Sequence, residues 1–287
     1  MNNKVGIYYA FWEQKWMADY SLYAKKVSGL GFDILELPAV SLFEMTEADI
    51  EKLIEVKKET GLEYTFSLGL PHHLDISAKD KAVREAGIAF IKDGLIKAGK
   101  LDAKMFGGVC YAAWNGKNED GKEAHRERSI ASLKQIMPVA EDLNIHYCVE
   151  VVNRFEQFII NDHHEALAFV RDVGSPNVRV ELDTFHMNIE ENSFEEAIIQ
   201  TGDWLGHFHI GENNRRPPGT GMMPWENIFG ALKQINYQGR IVMEPFVLYD
   251  GEVGRDVSLW REIMPGADLD YEAKRALNFV RNQLSNL

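Results

Sequence analysis

The run Val178-Arg179-Val180-Glu181-Leu182-Asp183-Thr184-Phe185-His186-Met187-Asn188 starts as a β-branched strand and ends in polar side chains able to hold a metal ion and a hydroxyl. Side chains alternate along a strand, so Arg179, Glu181 and Asp183 share one face while Val180, Leu182 and Thr184 take the other. Acids on one face imply a polar interior, and Asp183 reads as a metal ligand. Three other strand-like runs also end in ligand-type residues: Tyr147-Cys148-Val149-Glu150, Leu205-Gly206-His207-Phe208-His209 and Ile241-Val242-Met243-Glu244. From Glu150 through Asp183 and His209 to Glu244 the spacings are 33, 26 and 35 residues. Each is about one strand-helix unit, the repeat that closes a parallel barrel of roughly 250 residues. Four candidate ligands at successive strand ends would converge at one mouth.

The rest of the chain carries the same alternation. Strand-like runs occupy 5–12, 33–37, 62–70 and 104–110 before the fifth at 147–150, and 204–210 and 239–246 after the sixth. Helical spacing separates them, with Thr46, Asp162 and Ser193 placed to cap helices and Gly31 and Gly61 to end them. The last helix spans about 270–284. Eight strands alternating with eight helices, without a composition break, predict a single (β/α)8 TIM barrel, one catalytic domain over residues 1–287. A doubly wound sheet would carry a glycine-rich dinucleotide turn after its first strand; here that strand runs into Trp12 and Trp16. No organic cofactor is therefore expected.

With 45% apolar and 26% charged residues the chain has the composition of an ordinary globular protein. A net charge of −13 and no Lys/Arg block argue against a nucleic-acid partner. Cys110 and Cys148 lie in apolar runs and read as free buried thiols. No run is long and apolar enough for a signal-peptide core or a bilayer span, so no membrane association and a cytoplasmic location are expected.

Glu150, Asp183, His209 and Glu244 offer three carboxylates and one imidazole, an oxygen-rich set suited to Mn²⁺, Mg²⁺ or Co²⁺ rather than a thiolate zinc site. A single acid at a strand end is more often a helix cap or a solvated group; four in register reverse that preference. His207 shares a face with His209 but sits earlier in the strand, where a hydrogen-bonded core histidine is the better reading.

Five runs resemble the ketose 3-epimerases, meaning the D-tagatose and D-allulose (D-psicose) 3-epimerases. They are Glu150-Val151-Val152-Asn153-Arg154-Phe155-Glu156, the stretch from Leu182 to Glu191, Gly206-His207-Phe208-His209, Gly211-Glu212-Asn213-Asn214-Arg215 and Val242-Met243-Glu244-Pro245-Phe246. The resemblance runs from the first strand to the last helix. It implies a metal-dependent barrel inverting carbon 3 of a free ketohexose, with one Mn²⁺ or Co²⁺ held by Glu150, Asp183, His209 and Glu244, and with Glu150 and Glu244 as the catalytic pair. Glu156, His186 and Arg215 would hold the O1 and O2 end of the sugar, and Arg216 is the rival that the motif register disfavours. Tyr8, Trp16, Ser67, Trp114 and Phe246 would line the rest of the pocket, although core packing competes for Tyr8 and Phe246. A homo-dimer or homo-tetramer is also implied.

The chemistry has its own requirements. Moving a proton from one face of carbon 3 to the other needs an acid/base group on each side, and the negative charge of the enediolate between the two steps needs a cation or donors nearby. Two departures from the family pattern stand out. The third-strand loop reads Gly69-Leu70-Pro71-His72-His73-Leu74-Asp75, and Glu181 is a carboxylate where a neutral residue is usual. Glu181 is expected to hydrogen-bond His207 inside the barrel, since an unpaired buried charge is costly. The runs around Phe155-Glu156-Gln157 and Arg215-Arg216-Pro217-Pro218-Gly219 lean toward the tagatose type. The alternatives are an aldose-ketose isomerase on the same barrel, a barrel endonuclease and a non-catalytic sugar-binding module; the endonuclease would need several histidine ligands and a basic face.

Overall fold

Each predicted strand forms, and the strands close on themselves. The computed structural model describes residues 1–285. It runs β1 (Val5–Tyr8), α1 (Tyr20–Leu30), β2 (Ile34–Pro38), α2 (Glu47–Thr60), β3 (Glu63–Gly69), α3 (Lys81–Lys100), β4 (Met105–Val109), α4 (Lys122–Asp142) and β5 (His146–Val151). It continues through α5 (His163–Val173), β6 (Val178–Asp183), α6 (Thr184–Glu190), α7 (Phe194–Thr201), β7 (Leu205–Ile210), α8 (Trp225–Gln234), β8 (Arg240–Met243), α9 (Glu252–Asp256) and α10 (Leu269–Ser285). Consecutive strands pair in parallel, and β1 pairs with β8 through Val5↔Ile241 and Gly6↔Val242, closing a single-domain TIM barrel.

Local chemistry accounts for the boundaries. Thr46 and Asp49 form a reciprocal capping box at the start of α2, and Gly61 ends it with φ 74°, a left-handed conformation that costs a residue without Cβ little. Asp162 and Ser193 accept the Glu165 and Glu196 N–H groups and so cap α5 and α7. Outward strand residues such as Val149, Leu182 and Phe208 are wholly buried beneath the helical layer. Full burial of an apolar side chain of this size stabilises by about 1.5–3 kcal/mol.

Two helices beyond the expected eight appear among the described residues. The short α9 lies in the segment after β8. The other, α6, shortens the sixth strand: it stops at Asp183, whose carboxylate caps the helix by accepting the Phe185 N–H. His186 is thereby placed on the first turn of a helix above the strand end, not along a strand.

Candidate active site

The barrel opens at the C-terminal ends of its strands into a cavity of about 360 Å³. Its wall includes Tyr8, Trp16, Ser67, Trp114, Glu150, Glu156, His186, Arg215, Glu244 and Phe246, so the structure brings together every sequence-predicted pocket residue. Arg216 does not join them, because its guanidinium turns away to the Ile263 carbonyl. Tyr8 and Phe246 are packed edge to face with centroids 5.7 Å apart, and both still face the cavity. Packing and lining are here one role.

At the cavity floor Glu150, Asp183, His209 and Glu244 each present one ligand-type atom, all within 4.8 Å of one another. His209 Nδ1 is central, 3.7 Å from Glu150 Oε1, 3.8 Å from Asp183 Oδ2 and 3.6 Å from Glu244 Oε1. Both His209 Nδ1 and Glu150 Oε1 are buried without a hydrogen-bond partner. Buried acceptors without donors are costly, and a divalent cation is the species that would satisfy a cluster of three carboxylates and an imidazole lone pair. The donor set therefore fits a hard or borderline divalent metal, and no thiolate lies in it.

Arg215 adds the one fixed positive charge. Its Nη1 donates to Glu244 Oε2 at 2.7 Å and Asp183 Oδ2 at 3.2 Å, and its guanidinium lies 3.9 Å from the Phe185 ring centroid. Its backbone φ of 64° is left-handed, a strained conformation for a side-chain-bearing residue. The loop holds it there through the Arg215 N–H to Glu212 carbonyl and Phe246 N–H to Arg215 carbonyl bonds. Burial raises the Glu244 carboxyl well above the ordinary range despite His209 and Arg215, whereas Asp183 is held below it, because Arg215, His186 and His209 outweigh its desolvation.

The neighbours of His186 hold its ring in place. Its Nδ1 faces both the Asn153 backbone N–H at 3.2 Å and the Asn153 side-chain amide at 2.8 Å, so this nitrogen accepts. Its Nε2 faces the cavity, 3.7 Å from Glu150 Oε1 and 3.4 Å from Arg215 Nη2. Glu156 accepts from Asn153 Nδ2 and Trp114 Nε1, both at 2.9 Å. At the outer rim Trp16 Nε1 donates to Asp256 at 2.6 Å, and the Trp16 and Trp114 rings meet edge to face at 6.3 Å.

The expected Glu181 to His207 bond does not form. Glu181 Oε2 accepts the Gly108 N–H at 2.9 Å, and Oε1 lies 3.1 Å from His209 Nε2. His207 instead turns Nε2 to Glu36 Oε2 at 2.9 Å. Glu181 and His207 are paired neighbours on β6 and β7, but the Glu181 carboxyl passes His207 to meet His209 further along β7 and Gly108 on β4, while His207 turns across the barrel to Glu36 on β2. Burial holds the Glu181 carboxyl well above the usual range, with Glu150 and Glu36 adding to the rise. Sequence reasoning missed Glu36 altogether, although an acid inside the apolar run Ile34-Leu35-Glu36-Leu37 was the available signal. Asn153 was quoted within the Glu150-to-Glu156 run but given no role, and Asp256 was missed as well.

Among the described residues no helix is long and apolar enough to cross a membrane. The model of the xylose isomerase-like TIM barrel family matches residues 24–278. Over 283 residues the chain is 44% identical to a D-psicose 3-epimerase of Agrobacterium fabrum (strain C58 / ATCC 33970), covering 97% of this chain and 98% of that one. It is 32% identical to a ketose 3-epimerase of Arthrobacter globiformis, covering 98% and 97%. Among solved structures, a D-psicose 3-epimerase crystallised in the presence of D-fructose superposes with a TM-score of 0.95 at 43% identity, covering 98% of this chain and 99% of that one. An AP endonuclease of family 2 from Brucella melitensis, at 18% identity and a TM-score of 0.71, shares the fold alone. By its matched family model and its full-length relatives, the chain belongs to the xylose isomerase-like TIM barrel family and, within it, to the ketose 3-epimerases, which are isomerases.

Proposed function

We propose that this protein is a metal-dependent ketose 3-epimerase acting on free ketohexoses, interconverting pairs such as D-tagatose with D-sorbose and D-fructose with D-allulose, with L-ribulose as a further candidate. The observation that carries the reading is the placement of Glu150 and Glu244. Both line the cavity while contributing to the same ligand cluster at its floor. A divalent ion, Mn²⁺ or Co²⁺ with Mg²⁺ as an option, held by Glu150, Asp183, His209 and Glu244 would polarise the ketose oxygens and offset negative charge. One glutamate takes the carbon-3 proton, the C–H electron pair moves onto the adjacent carbonyl to give an enediolate, and the other glutamate delivers a proton to the opposite face. Atoms and electrons balance without a redox cofactor.

His186 Nε2 and the Arg215 guanidinium face the cavity where the O1 and O2 oxygens would lie, and the guanidinium supplies donors to the developing charge. Glu156, held by Asn153 and Trp114, accepts from a sugar hydroxyl. Tyr8, Trp16, Ser67, Trp114 and Phe246 wall the remainder. A phosphorylated sugar fits poorly, since the basic side chains in the wall are His72, His186 and Arg215, and the charge of Arg215 is already balanced by Glu244 and Asp183. The leaning toward D-tagatose gains no support from relatives named D-psicose 3-epimerase, so the proposal stays at the level of the ketohexose.

The test is incubation of the Mn²⁺-loaded protein with D-tagatose, D-fructose, D-allulose and L-ribulose, followed by chromatography. Carbon-3 epimers are expected; a new aldose would favour the aldose-ketose isomerase, and no turnover would favour a sugar-binding module. In D₂O, Glu150→Gln and Glu244→Gln should each fail to epimerise while exchanging the carbon-3 hydrogen of opposite epimers, metal content being checked alongside. Exchange of the same epimer by both variants would refute the two-face mechanism. A homo-dimer or homo-tetramer in the cytoplasm completes the proposal, and light scattering of the purified protein tests the assembly.

A further inference from the structure

Beneath the ligand cluster lies a second layer of buried polar side chains for which the proposed reaction has no step: Glu36 on β2, Thr65 on β3, Glu181 on β6 and His207 on β7. All four are wholly buried. Glu36 is their hub. Its Oε1 lies 2.6 Å from His209 Nε2, and its Oε2 lies 2.9 Å from His207 Nε2 and accepts the Thr65 hydroxyl at 2.7 Å. A carboxylate can only accept, so the nitrogens turned toward it carry the protons. Both rings are consequently Nε2–H tautomers, and for His209 this leaves Nδ1 as a bare lone pair. That is the nitrogen centred on Glu150, Asp183 and Glu244, and it has no donor of its own.

We propose that Glu36 is a positioning residue of the metal centre: from three strands away around the barrel it fixes the tautomer and ring orientation of His209, so that Nδ1 faces the cation as a ligand. This rests on the reading of the quartet as a metal site. An imidazole that gives its remote N–H to a carboxylate is held in one orientation and made a stronger donor at its other nitrogen; loss of such a partner typically weakens metal binding by about 10–100-fold. Glu36 touches neither cation nor sugar, and acts only through His209.

The same side chains invite a rival reading, since Glu36, His207 and His209 also present ligand-type atoms within 4.8 Å of one another. Hydrogen bonds already occupy both Glu36 oxygens, and His209 Nε2 cannot donate its proton to Glu36 while ligating a second ion. One cation per chain is therefore expected.

The experiment titrates full-length metal-stripped protein with Mn²⁺ alone and reads free Mn²⁺ by its electron paramagnetic resonance signal, for the wild type, Glu36→Gln and Thr65→Val. The inference requires one site per chain in the wild type, about 10–100-fold weaker binding in Glu36→Gln with the circular dichroism spectrum retained, and a change under threefold in Thr65→Val. The valine variant loosens the same buried layer without touching the contact to His209, so a merely structural effect would move both variants alike. Wild-type protein that binds no Mn²⁺ would overturn the reading of the quartet itself. Tight wild-type binding left unchanged in Glu36→Gln would overturn the role of Glu36 alone, and two ions per chain would favour the second site. Should Glu36→Gln not fold, ¹⁵N spectra of the wild type decide: a proton on His209 Nε2 supports the assignment, and one on Nδ1 overturns it.

Discussion

Gly107 provides a test of the barrel interior that is independent of catalysis. A Cβ built on it would overlap Glu181 Oε2 and lie 2.9 Å from the Cys148 carbonyl oxygen, a backbone atom that cannot step aside. In Gly107→Ala the Glu181 carboxyl must leave, and the Gly108 N–H loses its 2.9 Å acceptor. An unsatisfied buried donor costs about 1–3 kcal/mol, and the overlap with backbone adds about 1–3 kcal/mol. The smaller unfolded-state entropy of alanine returns about 0.4–1 kcal/mol. The net loss is about 1–6 kcal/mol, a fall in melting temperature of roughly 2–22 °C at about 2–4 °C per kcal/mol. Glu181→Ala alone strands the same N–H and loses about 1–3 kcal/mol. Because both variants break one shared bond, the double variant should be less destabilised than their sum by about 1–3 kcal/mol in urea unfolding. Additivity within about 0.5 kcal/mol would mean that the two residues do not meet, and the account of Glu181 would fall.

Exhaustive chelation should lower both the melting temperature and the epimerase activity, with Mn²⁺ restoring both, because three carboxylates around His209 repel one another without a cation; an unchanged melting curve after verified metal loss would remove the metal from the structure's stability. His163 is buried and bonded to Glu191 at 2.8 Å; burial lowers its pKa, but Glu191 and Gln200 outweigh this and raise it above 6.5. A raised folded pKa contributes stability that is complete below the unfolded value and lost as pH rises through the folded one. The wild type should therefore lose melting temperature relative to His163→Gln on the alkaline side of pH 6.5, and parallel curves would refute this. Asp256→Ala removes the acceptor of Trp16 Nε1 at the rim. A hydrogen bond to a carboxylate contributes about 1.5–3 kcal/mol, and exposure at the rim sets this one at the lower end, so KM should rise about 10-fold with kcat little changed, and a kcat defect at constant KM would place Asp256 nearer the reacting carbons than the rim.

The convergence of Glu150, Asp183, His209 and Glu244 was legible because barrel geometry converts sequence spacing directly into spatial proximity: residues one strand-helix unit apart, each at a strand's C-terminal end, must meet at one mouth. His186 was legible only through a motif, since Asp183 ends its strand and caps α6 within the same residue, and the polar run beyond gives no sign of where the geometry changes. The layer beneath was not legible. Alternation states correctly that Glu36, Glu181, His207 and His209 point inward, but two inward residues meet only if strand tilt and stagger bring them to the same height at the axis. Glu36 reaches His207 across 171 residues of chain and from a strand three places away around the barrel, and no local pattern encodes that height. The expected Glu181 to His207 bond fails at this step: both side chains point inward, but Glu181 Oε1 meets His209 on the same β7, 3.1 Å away, and pairing in the sheet does not set height at the axis. The distinction has a physical consequence. Mouth residues are brought together by where strands end, whereas the buried layer depends on hydrogen bonds that cross the barrel, such as those from Glu36 on β2 to His207 and His209 on β7. A change at Glu36 is therefore transmitted to His209 through a buried bond of 2.6 Å, although the two residues share neither strand nor motif.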